Sequence, residues 1–211
     1  MEENDDDVEN STNLKLIIIG DSATGKTSIV NRFTNNTFDI TSIATIVPNC
    51  LNKVIIIIIK INDIIYNINI WDLPGQDRNP ILTKGFVNNS QGIIFCCEVN
   101  NENSKVNLNF WNESLKSFDN IENIPKIIII NKSDLLKKEG YIKIINNMKD
   151  ISKDLGCFNC FLTSAKTGEN VNDAFNFLIN EMIKNVKEND IQSYNQIKLK
   201  QPPNDEKTQC C

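Results

Sequence analysis

Residues 20–27 read GDSATGKT, and no other stretch of the 211-residue chain limits its fold so sharply. The octapeptide matches G-x-x-x-x-G-K-[ST]. It follows an apolar run (residues 14–19, LKLIII) that reads as a strand, and it opens residues 26–35, where Ile29, Val30 and Phe33 share one side of a helix. In that context the two glycines permit a tight backbone path, so successive N–H groups can wrap a phosphate at the positive end of a helix. Gly20, Asp21, Ser22, Ala23, Thr24, Gly25, Lys26, Thr27 and Ser28 are the expected phosphate-binding residues. Lys26 should reach the outer phosphates as a point charge, and the Thr27 hydroxyl should bind Mg²⁺.

Composition removes several alternatives. Lys+Arg 22 against Asp+Glu 27 gives a net charge of -5, so no global positive field exists to hold a nucleic-acid backbone. The chain has no histidine, which excludes His-based triads, imidazole general bases and ordinary Cys/His zinc sites. No apolar run approaches the roughly 18 residues of a membrane helix. The acidic start (residues 1–10) has the wrong sign for a leader peptide, so a cytosolic chain with reduced cysteines is expected. The 34 Ile and 34 Asn spread through strands and loops alike and carry no function in this reading.

The remaining pattern alternates strands with helices. Residues 51–61 and 64–71 flank Asn62-Asp63 as an antiparallel hairpin. Residues 92–99 (GIIFCCEV) and 126–130 (KIIII) are unbroken apolar runs expected of strands covered on both faces. Helices are expected over residues 104–118, 141–155 and 171–187, with a strand over 158–162. The predicted fold is α/β, a six-stranded mostly parallel sheet with helices on both faces, whose ligands bind at the carboxyl ends of the strands. The expected layout is an acidic flexible tail over 1–13, one domain over 14–187 and a flexible tail over 188–211.

Three further motifs sit at expected strand ends. Asp72 opens DLPGQ, which delivers a carboxylate able to hold Mg²⁺ through water, a Gly75 N–H for a terminal phosphate and Gln76 to orient an attacking water. Asn131, Lys132 and Asp134 form NKSD directly after the KIIII run. The Asp134 carboxylate can accept from two neighbouring N–H groups of guanine, a pair adenine lacks, and such sites discriminate strongly. Ser164, Ala165 and Lys166 supply another loop against the base.

In this order and at these strand ends, the four motifs resemble those of the small GTPases. The WD before LPGQ, TSAKTGENV (residues 163–171) and the terminal Cys210-Cys211 narrow the resemblance to the Rab family. It implies a P-loop NTPase small G domain that hydrolyses GTP with Mg²⁺ and regulates vesicle traffic. It also implies that Thr45, in ATI (residues 44–46), binds Mg²⁺ and senses the terminal phosphate, so that Gln76, Lys26 and Thr45 serve catalysis while Thr27, Thr45 and Asp72 hold the metal. Cys210 and Cys211 would carry two geranylgeranyl groups, because one chain anchors only marginally. The implied partners are an effector, an exchange factor, a GTPase-activating protein and a dissociation inhibitor, for a monomer on the cytoplasmic face of an intracellular membrane with a cytosolic pool.

The chain departs from the family pattern in its switches. Val47, Pro48, Asn49 and Cys50 replace the usual Gly, aliphatic, acid and aromatic; Asn79, Val87 and Asn88 replace aromatic and basic positions; Pro74 precedes Gly75. A non-cycling GTP-bound interaction module is therefore the alternative reading. Arg32 and Arg78 are the only arginines, and neither lies in residues 36–50, from which a cis arginine could reach the phosphate. Hydrolysis is expected to be slow alone and dependent on a partner. Cys157 and Cys160 form C-x-x-C without a second pair, which suits core packing rather than metal.

Overall fold

In the computed structural model, residues 11–40, 53–61, 64–75, 86–101, 103–118, 121–136 and 141–200 are described. Six strands form one sheet: β1 (Ser11–Ile19), β2 (Lys53–Ile61), β3 (Ile64–Asp72), β4 (Gly92–Glu98), β5 (Lys126–Asn131) and β6 (Asn159–Leu162). Their order is β2-β3-β1-β4-β5-β6. Only the β2–β3 hairpin is antiparallel; the other four pairings are parallel. The helices are α1 (Lys26–Asn35), α2 (Ser104–Leu115), α3 (Tyr141–Asp154) and α4 (Val171–Lys200).

The isoleucine-rich runs explain the layering. Successive side chains of a strand point to opposite faces, so an unbroken apolar run needs cover on both. In β1, Leu14, Leu16 and Ile18 enter one core with Ile29 and Val30 of α1 and Phe175, Leu178 and Met182 of α4. Ile17 and Ile19 enter the other, with Leu108, Trp111 and Leu115 of α2 and Met148 and Ile151 of α3. Strands β4 and β5 alternate in the same way: Ile94, Cys96, Ile127 and Ile129 face α1 and α4, whereas Phe95, Cys97, Ile128 and Ile130 face α2 and α3. Adjacent strands β1 and β4 are followed by helices on opposite faces, the arrangement that opens a crevice at the carboxyl edge of such sheets.

Both outer boundaries differ from the sequence expectation. Strand β1 starts at Ser11, not Leu14, because Ser11, Thr12 and Asn13 pair with Ile65, Tyr66 and Asn67 of β3. A short polar segment with a strand to pair against joins the ladder whatever its hydropathy. Helix α4 runs to Lys200, so residues 188–200 are helix where a flexible tail was expected. Loss of an apolar stripe does not end a helix; Gly and Pro do, and the first of either after Val171 is Pro202. Among the described residues no helix is long and apolar enough to cross a membrane. Cys96, Cys97, Cys157 and Cys160 are free thiols, and Cys157 and Cys160 pack against the α2/α3 core.

Phe175 is fully buried and stacks on Phe33 with ring centroids 4.0 Å apart and planes 8° from parallel, which joins α4 to α1. Phe175→Ala should therefore cost about 3–5 kcal/mol of stability through lost transfer energy and cavity formation, read as a lower urea midpoint.

Candidate functional site

The parallel register brings the motif loops to one edge. Ile18 pairs with Asp72, Ile19 with Phe95, Glu98 with Asn131 and Ile130 with Leu162, so β1, β3, β4, β5 and β6 end within a residue or two of one another. Hydrogen bonds extend the ladder past the strands, from Leu73 N–H to Ile18 O (3.2 Å), Thr163 N–H to Ile130 O (2.8 Å) and Ser133 N–H to Thr163 O (2.9 Å).

The loop between β1 and α1 needs its glycines. Gly20 has φ +148°, and a Cβ there would lie 2.1 Å from the Cys96 carbonyl oxygen. Gly25 has φ +88°, and a Cβ there would lie 2.3 Å from Asn131 Nδ2. Ala23 also adopts positive φ (63°), and such alternation gathers backbone N–H groups into an anion-binding concavity. Lys26 is buried, and its ammonium donates to the carbonyls of Gly20 (2.8 Å) and Asp21 (2.7 Å). Burial pulls its pKa below the ordinary lysine value, against the pull of Cys96, Asp72 and Asp21. A poorly solvated cation in a concavity of N–H groups favours a multiply charged anion.

Segment 72–75 touches this loop directly. The Thr27 hydroxyl donates to Asp72 Oδ2. A Cβ on Gly75 would lie 2.3 Å from Ser22 N, 2.4 Å from the Asp21 carbonyl carbon and 2.6 Å from Lys26 Nζ, so only glycine permits this approach. A hydroxyl and a carboxylate in contact are the hard oxygen donors that suit Mg²⁺. The residues present fit both a phosphate chain and that metal.

The second half of the site is built around Asn131. Its Nδ2 donates to Thr24 O (2.9 Å), and its Oδ1 accepts from Ala165 N–H (3.1 Å), joining three loops through one buried amide. Asp134 Oδ1 accepts from the Ser164 hydroxyl (2.6 Å), and Asp134 Oδ2 lies 3.9 Å from Lys166 Nζ. Lys132, in left-handed conformation (φ 67°), pairs with Glu98. The structure thus brings Gly20 to Ser28, Asp72, Gly75, Asn131, Lys132, Asp134 and Ser164 to Lys166 to one edge. Thr45, Gln76, Cys210 and Cys211 lie outside the described residues.

Four further residues join the site. Trp111 Nε1 donates to Asp21 Oδ1 (3.1 Å), which ties α2 to the phosphate loop. Glu98 holds Lys132, and Glu169 Oε2 accepts from the Ser133 hydroxyl (2.7 Å). Arg32 donates to the carbonyls of Ala165 and Lys166. A buried tryptophan signals that its N–H has a polar partner, and an acid closing a buried strand signals the functional edge. In sequence, neither Arg32 nor Glu169 carries a sign of its contact role: Arg32 stands only as one of two arginines, and Glu169 only within TSAKTGENV.

Comparison with known proteins decides the family. The model of the Ras family matches residues 15–184. Ras-related protein RABG3c of Arabidopsis thaliana is 34% identical, the match covering 84% of this chain and 86% of the relative. Ras-related protein Rab7 of Cenchrus ciliaris is 32% identical over 85% and 87%, and Ras-related protein RabG2 of Dictyostelium discoideum 31% identical over 81% and 83%. The chain is a Rab-type small GTPase. It hydrolyses GTP, and guanine nucleotides and Mg²⁺ are its ligands.

Cys96 lies beneath the phosphate loop, its thiol 3.9 Å from Thr24 O, whereas Cys157 lies beside Lys126 at the opposite end of the sheet. Burial pushes the Cys96 thiol from an ordinary 9.0 to about 11, opposed by nearby Lys26, and burial pushes Cys157 up to about 12, opposed by Lys126. The unfolded thiols release their protons first, so their share of stability falls as pH rises from about 9, toward 11 for Cys96 and toward 12 for Cys157. At pH 9, iodoacetamide should label Cys96 and Cys157 more than about 10-fold more slowly in the native GTPase than in urea, measured by peptide mapping.

Proposed function

We propose that the chain is a GTP-driven switch of membrane traffic, whose nucleotide is held by the residues at this sheet edge and whose state is read by an effector. The observation that carries the reading is the contact of segment 72–75 with the phosphate loop: Thr27 donates to Asp72, and Gly75 sits where no side chain fits, against Ser22 and Lys26. A strand end that touches a phosphate loop through a glycine and a carboxylate responds to what lies on that loop.

In this reading the backbone N–H groups of residues 20–25 and the Lys26 ammonium orient the phosphates and hold the charge that develops as the terminal bond breaks. Thr27, Asp72 and Thr45 hold Mg²⁺, which when bound neutralises phosphate charge. Gln76 orients the attacking water. Asp134 accepts from the guanine N–H groups, with its other carboxylate contacts to Ser164 and Lys166 fixing its plane. Asn131 and Lys132 shape the floor and wall of the base site.

The terminal Cys210 and Cys211 carry geranylgeranyl groups and place the domain on the cytoplasmic face of an intracellular membrane, with a cytosolic pool kept by a dissociation inhibitor. Stable anchoring takes two signals, and two lipids supply both. Helix α4 reaches Lys200, so residues 201–211 are what remains between its end and the lipids. An exchange factor loads GTP, and a GTPase-activating protein completes the hydrolytic site, a reading supported by the lack of an arginine in residues 36–50. Altered residues 47–50 and 79 set partners of their own. Pro74 fixes its own φ but leaves the Gly75 N–H in place, which favours a cycling switch over a static module.

Single-turnover hydrolysis of bound GTP with Mg²⁺ tests this reading. Wild type should hydrolyse far more slowly than the few per second of partner-accelerated enzymes, and Gln76→Leu should lower the rate at least about 10-fold further with guanine nucleotide still bound. Tight GTP binding with no hydrolysis in either form would assign the static module instead.

A further inference from the structure

Arg32 stands in the last turn of α1 and divides four hydrogen bonds between two separate segments. Its Nε donates to Ala165 O at 2.7 Å and its Nη2 to Lys166 O at 2.8 Å, 133 and 134 residues away in the chain. Its Nη1 donates to Asn36 O at 2.9 Å and to Asn36 Oδ1 at 3.0 Å. Asn36 is the left-handed C-cap of α1 (φ 52°, ψ 33°), and its N–H returns to the Arg32 carbonyl. The guanidinium thus bridges the exit of α1 and the 164–166 loop. A planar fork with five donors can serve both; an ammonium on a flexible stem cannot.

Ala165 is held at both of its main-chain polar groups. Asn131 Oδ1 takes its N–H, and Arg32 takes its carbonyl. The stacked Phe33–Phe175 pair, one residue along, fixes α1 against α4, so the guanidinium is presented from a braced helix. We propose that Arg32 is a positioning residue for nucleotide retention. It holds the 164–166 loop in its base-facing place and ties that loop to the exit of α1, so that displacing the chain after Asn36 loosens the nucleotide. The proposal rests on the reading that this loop faces the guanine.

Release of fluorescent GDP from the full-length chain, with Mg²⁺ present, tests it on wild type, Arg32→Ala, Arg32→Lys and Asn36→Gly. Arg32→Ala should release GDP about 10-fold faster, the scale of one charge-assisted bond lost to the bound state. Arg32→Lys should recover little of that. Asn36→Gly should change release less than about 2-fold, because glycine adopts the left-handed cap and keeps the carbonyl acceptor. Amide exchange in Arg32→Ala should rise in residues 164–168 and stay unchanged within residues 174–183 of α4. Equal release from wild type and Arg32→Ala would overturn the proposal, and so would faster release accompanied by raised exchange throughout the domain, which is a structural role alone. A wild type that releases GDP as fast as it releases ADP would overturn the guanine reading beneath it.

Discussion

The site depends on the side chain of Asn131. One buried amide donates to the phosphate loop at Thr24 and accepts from the 164–166 loop at Ala165, while its own backbone ends β5. Both partners are main-chain atoms, so the bonds constrain loop paths rather than side-chain rotamers. Gly25 must be glycine partly for this reason, since a Cβ there would stand 2.3 Å from Asn131 Nδ2. Three loops, at residues 20–25, 131–134 and 164–166, are thereby fixed relative to one another by a group with no charge to solvate. A buried amide with one end unpaired is costly, so the junction holds best with every member in place.

The sheet makes that junction available. Parallel register aligns the strand ends, and two-sided cover by α1 and α4 on one face and α2 and α3 on the other leaves the carboxyl edge as the place where polar residues converge. Contacts at the edge are of two kinds. Asn131, Asp134, Lys132 and Arg32 bind the loops at residues 131–134 and 164–166 to their neighbours by hydrogen bonds and ion pairs. Segment 72–75 meets the phosphate loop through the Thr27–Asp72 bond and the close passage of Gly75. The first half of the site is braced by side-chain bonds between loops, whereas the second joins a strand end to the phosphate loop at Thr27, Asp72 and Gly75.

Much of this was legible because its determinants are local. The phosphate loop is written in eight consecutive residues between a strand and a helix, and NKSD follows a strand that no alternative element fits. The alternation of isoleucines along β1, β4 and β5 gave the two-faced sheet directly. The partners of residues acting across the chain were not legible: Arg32 meets Ala165 at a separation of 133 residues, and Trp111 meets Asp21 at 90. Each reads in sequence as an ordinary helix residue, one exposed and one apolar. The outer boundaries failed for a related reason. Ser11 is a strand residue because β3 offers it a partner, and residues 188–200 are helical because no breaker intervenes, neither of which an apolar pattern reports.

The central claim is that Asp134, Asn131 and the 164–166 loop form a guanine site at the edge that also holds the phosphates. Competition binding of guanosine and xanthosine diphosphates to wild type and Asp134→Asn tests it most directly. An amide at position 134 still accepts from Ser164 but presents a donor where the carboxylate accepted, matching the 2-oxo group of xanthine rather than the 2-amino group of guanine. Wild type should prefer the guanine nucleotide strongly, and the variant should reverse that order while retaining its fold. A variant that keeps the wild-type preference would contradict the assignment of Asp134 and with it the base site described by this edge of the sheet.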